Sequence, residues 1–101
     1  MRKSGEGLDA MAKYRVVATC YSPVQDGGLA ARMITQEFAA HRLHHHNVHC
    51  SFSDGMFTLI AENDFDAKGL ALLDEFADCM SAYTEGIYSD MKVKSVTSNE
   101  N

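Results

Sequence analysis

"NVHCSFSDGMFTLIAE", residues 47–62, is where the chain states its fold most directly. Asp54-Gly55 is the dipeptide that a two-residue hairpin turn demands, because both central positions of such a turn need positive φ. Ahead of it Val48, Cys50 and Phe52 alternate with His49, Ser51 and Ser53. Behind it "MFTLIAE" (56–62) alternates in turn. A two-residue turn sets Ser53 against Met56, Phe52 against Phe57 and Cys50 against Leu59. Apolar then meets apolar along one face, and a slip of one residue would turn that face to water.

Working outward, "KYRVVATCY" (13–21) also has the two-residue period of a strand. Tyr14, Val16, Ala18 and Cys20 lie on one side, Arg15, Val17, Thr19 and Tyr21 on the other. "SPVQDGG" breaks it with the only proline, and Asp26 is placed to cap a helix from about Gly27 to about His44. After the hairpin, Asp64 or Asp66 opens a second helix, roughly 66–84. At about 100° per residue its Leu72, Leu73, Phe76, Ala77, Cys79, Met80 and Tyr83 share one face, and Asp74, Glu75 and Asp78 the opposite one. "MKVKSVT" (91–97) is the last strand, with Met91 and Val93 inward and Lys92 and Lys94 outward.

The order strand, helix, strand, strand, helix, strand predicts an α+β fold. The expected form is a ferredoxin-like βαββαβ sandwich with antiparallel sheet order 4-1-3-2 and two helices on one face. The domain is expected over 13–97, with 1–12 a disordered lead and 98–101 a frayed tail.

The 101 residues suffice for one domain, and 46% hydrophobic against 23% charged residues is a globular balance. Charge is uneven. Residues 1–53 hold six Lys/Arg and four Asp/Glu, and residues 54–101 hold three and ten. An acidic second half argues against a nucleic-acid partner. No apolar run of 18 residues occurs, so no membrane partner is expected. Cys20, Cys50 and Cys79 are odd in number and far apart, which fits neither a disulfide framework nor a zinc knuckle. The expected location is cytoplasmic.

"HRLHHHNVHC" (41–50) holds all five histidines. Glu37, His41 and His44 fall at i, i+4 and i+7 of the expected helix, with His45 beside them and His49 shortly after. Imidazoles and a carboxylate in that spacing suit Zn²⁺, Ni²⁺ or Co²⁺. The competing reading is a polar helix end, where such side chains meet unpaired carbonyls and the negative end of the dipole. Three consecutive histidines cannot all face one ion from a helix. No cofactor is therefore expected, with a divalent metal on Glu37, His41, His44, His45 and His49 as the alternative. The cysteines fall on inner faces, where a thiol behaves as a small hydrophobe.

At "DGGLAARMITQEFAAH" (26–41) the chain resembles the start of an ACT domain, an acidic-glycine turn leading into a Leu-Ala-rich helix. The resemblance implies a small regulatory module that self-pairs and takes effectors near its first loop, here at Asp26, Gly28 and Leu29. Gly27 replaces the proline usual in that family, and the likeness covers only these sixteen residues.

The functional expectation is a non-enzymatic binding or regulatory module, a homodimer formed through the sheet. Val17, Tyr21, Met56, Thr58 and Ile60 would otherwise leave too much apolar surface on its outer face. One alternative is a small acidic inhibitor or adaptor of a larger protein; another is the metal-binding reading.

Overall fold

A computed structural model describes residues 12–98. The expected lead and tail fall largely outside that range. Of them only Ala12, which is buried, and Ser98 are described.

Six elements follow in chain order: β1 (Tyr14–Tyr21), α1 (Gly27–His41), β2 (His46–Ser53), β3 (Met56–Asn63), α2 (Leu70–Tyr83) and β4 (Ser89–Ser98). The strands form one antiparallel sheet in the order β2-β3-β1-β4, which is 4-1-3-2 read from the other edge. Val16, Ala18 and Cys20 of β1 share a core with Cys50, Phe57, Leu59 and Ala61. Ala30, Ala31, Ile34 and Phe38 of α1, with Leu72, Phe76, Cys79 and Met80 of α2, cover that same face. Among the described residues no helix lies on the other face of the sheet.

The hairpin adopts the expected register: Cys50 opposes Leu59, Phe52 opposes Phe57 and Ser53 opposes Met56. Asp54 and Gly55 both have positive φ, 52° and 83°. Gly55 also accepts a 2.9 Å hydrogen bond from the Ser22 amide, which ties the turn to the end of β1.

Glycine is required at the start of α1 for a different reason. A Cβ on Gly27 would lie 2.4 Å from the Phe52 ring, so the helix can enter this close to β2 only without a side chain. Thr35 then stitches α1 to the edge strand: its hydroxyl accepts a 2.9 Å bond from the Cys50 amide and donates to the Ala31 carbonyl.

Several boundaries depart from the sequence reading. α1 stops at His41, not near His44; the Arg42 amide still donates to the Phe38 carbonyl, and the chain then turns. α2 starts at Leu70, not near residue 66. Its N-cap, Gly69, sits at φ 75° and has no side chain to offer, so Asp66 caps from further back. The Asp66 carboxylate accepts from the Ala71 and Leu72 amides at 3.0 and 2.9 Å. Strict alternation also fails in β4. Register shifts fall between Val17 and Ala18 and between Thr19 and Tyr21 of its partner β1. The first leaves Lys94 as an extra residue and lets both Val93 and Val96 pack on the core.

Candidate functional site

The shortened helix reorganises the histidine stretch. With α1 ending at His41, His44 leaves the expected stripe, and only Glu37 and His41 stay on it. Glu37 lies 3.8 Å from the Arg42 guanidinium, and it lines a shallow recess with the exposed His41, Met33, Gln36 and Tyr83. His49 stands on the outer face of the sheet, opposite Ile60. Only His44 and His45 come together, and the carboxylate they meet is Glu75 of α2.

His45 is the centre of this cluster, its side chain fully buried. Its Nε2 lies 3.2 Å from Glu75 Oε2, which also accepts from His44 Nε2 at 2.8 Å. Arg42 Nη1 donates to Glu75 Oε1 at 3.2 Å, and the guanidinium lies over the Phe38 ring. Arg42 Nε is buried with no hydrogen-bond partner among the described residues. On the other side His45 Nδ1 is 3.2 Å from Asn63 Nδ2. Phe38 and Phe65 rings flank the imidazole at 5.7 and 5.9 Å.

The hydrogen bonds of Asn63 assign the tautomer. Its Oδ1 accepts from the Phe65 and Asp66 amides at 3.2 and 2.8 Å, which fixes the amide so that Nδ2 faces His45. An NH₂ group can only donate, so His45 Nδ1 must offer its lone pair. The proton therefore sits on Nε2 and is donated to Glu75. A doubly protonated ring would set two donors against each other. Burial lowers the His45 pKa, and the neighbouring His44 adds to that, against the attraction of Glu75. Although its partial burial works the other way, hydrogen bonds from His44, His45 and Arg42 hold the Glu75 carboxyl below its ordinary range.

Among the described residues, His44, His45 and Glu75 are the group that could hold a divalent ion, their donor atoms lying within 4.8 Å of one another. Two features oppose it. An imidazole ligating through Nε2 carries its proton on Nδ1 and donates it to an acceptor, whereas here Asn63 presents a donor. Arg42 already holds the carboxylate. The cluster is built as a buried polar clamp joining the end of α1, α2 and the end of β3.

In the first loop one helix amide is already capped. Asp26 Oδ1 accepts from the Leu29 amide at 3.2 Å, so that donor faces the cap. Gly28 is open to solvent and Leu29 is exposed. All three thiols are free and buried, and burial pushes Cys20 and Cys50 up to about 12 and Cys79 to about 11. None is a thiolate near neutral pH.

The expected interface residues do meet. Val17 pairs with Ile60, Thr19 with Thr58 and Tyr21 with Met56 across the helix-free face of the sheet. Tyr21 is exposed, and Val17, Met56, Thr58 and Ile60 are half-buried. Lys92 stands opposite Thr19 on one flank, and His49, Ser51 and Ser53 border the other. On α2 the acidic face is thinner than its spacing implies, because Glu75 turns inward and leaves Asp74 and Asp78 exposed.

The sequence stretch offered no sign that Glu75, Arg42 and Asn63 would converge on His45. Asn63 has one local signature, an Asn that binds the amides two and three residues on, as turn-forming Asn does. No helix among the described residues is long and apolar enough to cross a membrane. No family model, curated protein or solved structure matches the chain.

Proposed function

We propose that this chain is a non-catalytic binding module, a ferredoxin-like sandwich that pairs with a second copy through the helix-free face of its sheet. The observation that carries the reading is the row Val17–Ile60, Thr19–Thr58 and Tyr21–Met56 on that face. Its body is mostly apolar, Val17, Ile60, Tyr21 and Met56 about one Thr19–Thr58 pair, and its margins, Lys92 and Lys94 on one side and His49 and Ser51 on the other, are polar. That is the anatomy of an interface, with a dry middle and a wet rim. A twofold axis lets the same row serve both partners. A non-catalytic role is favoured by the raised thiol pKa values and by a histidine whose two nitrogens are both committed. The resemblance to ACT domains, which also self-pair, agrees with this reading.

Sedimentation equilibrium of untagged protein across the micromolar range tests it. A dimer is expected, reduced to a folded monomer by Ile60→Lys, since a charge would enter the dry centre. A wild-type chain that stays monomeric throughout, or a variant that dimerises as well as wild type, overturns the reading.

A further inference from the structure

At the β4 margin of the helix-free face lies a recess of about 290 Å³ lined by Thr19, Tyr21, Met56, Lys92 and Lys94. We infer that it is a binding site for a small carboxylate with an apolar body, of the aryl-acetate type. Its Thr19, Tyr21 and Met56 also belong to the row proposed to pair, so the recess is open in a single chain and pairing competes with its ligand.

The charge of the lining is the first reason. Two of its five residues are lysines and none is acidic, in a chain of net charge −5. Neither Lys92 nor Lys94 forms an ion pair among the described residues. Two uncompensated ammonium groups at one concavity focus the field on an anion. Their attachment is specific as well: the two register shifts of β4 fall on either side of Lys92, and Lys94 is the bulged residue. Bulges re-aim side chains, and here the pair that is re-aimed is the charged pair.

The floor is the second reason. Thr19 lines the recess, and its hydroxyl makes no hydrogen bond among the described residues while staying within reach of solvent. A hydroxyl at the floor that spends its proton on no protein acceptor is free to donate it to a carboxylate oxygen held between the lysines. The walls are the Tyr21 ring and the Met56 side chain, which offer an apolar, polarisable lining and no further charge. An inorganic anion would satisfy the lysines and leave those walls wet. An anion with a ring or branched alkyl group fills both halves, and the volume sits near the lower end of ligand pockets, on the order of 300 Å³.

The test is titration of the isotope-labelled protein with four probes: phenylacetate, phenylacetamide, acetate and inorganic phosphate. It is run in parallel on wild type and on Ile60→Lys, whose substitution lies outside the recess, so failure of pairing and failure of the site are read separately. Phenylacetate is expected to give saturable shifts at Thr19, Tyr21, Met56, Lys92 and Lys94 in Ile60→Lys, and in wild type with an affinity lowered to the extent that the chains pair. Affinity should fall at least tenfold in Lys92→Gln/Lys94→Gln, fall severalfold in Thr19→Val, and weaken with added salt. Several results overturn the assignment: no saturation by phenylacetate, equal binding of phenylacetamide, equal shifts from acetate or phosphate, or shifts that survive loss of both lysines.

Discussion

Asn63 Nδ2 lies 3.2 Å from His45 Nδ1 in a buried contact between residues 18 apart in sequence, and it dictates where the imidazole proton sits. The two backbone amides on Asn63 Oδ1 leave no freedom to flip. Everything that surrounds the imidazole then follows: donation to Glu75 on one side, exclusion of a second proton on the other.

This gives the protein an acid limit set by one residue. His45 titrates below the ordinary histidine value of 6.5, so near and below that pH the unfolded chain binds a proton that the folded chain refuses. The stability that the neutral His45 contributes is therefore fully present above about pH 6.5 and declines as the pH falls below it. The depressed Glu75 carboxyl adds a second decline, beginning below 4.5. Asn63→Asp replaces the opposing donor with an acceptor and should raise the His45 pKa. Long-range proton–nitrogen NMR reads both tautomer and pKa; a proton on Nδ1 at neutral pH in wild type would show the orientation of Asn63 to be wrong.

The same geometry governs metal affinity. Untagged protein prepared without nickel chromatography should carry far less than one equivalent of Zn²⁺, and added Zn²⁺ should leave its melting temperature unchanged. Asn63→Asp supplies the acceptor that a ligating imidazole needs, so it should raise Zn²⁺ affinity by roughly tenfold or more. Stoichiometric zinc in wild type, lost in His45→Ala, would replace the clamp with a metal centre.

Packing at the start of α1 makes a separate prediction. Gly27→Ala drives a methyl into the Phe52 ring and should cost roughly 1–3 kcal/mol in urea unfolding. In a Phe52→Leu background the added penalty should shrink, because the two residues share one space. Equal penalties in both backgrounds would mean that the ring is not what Gly27 accommodates.

The hairpin register and the order of elements are legible in the sequence because alternation and turn chemistry are local. Asp54-Gly55 needs nothing beyond its own φ preferences, and the apolar residues of 48–61 admit one register that buries them. The inner faces of β1 and α2 are legible for the same reason of period. What the tertiary structure alone decides is where periods are broken and which polar groups meet. α1 ends at His41, and Arg42 reaches a carboxylate 33 residues away while His45 reaches the same one 30 residues away. No helical spacing encodes those distances, and the place of His44 in a stripe with Glu37 and His41 rested on a helix that did not extend. Lys94 joins Lys92 over Thr19 only through the pairing of β4 with β1, where a bulge absorbs one residue. Period is a property of neighbours along the chain; convergence is a property of the sheet and helices once they have packed.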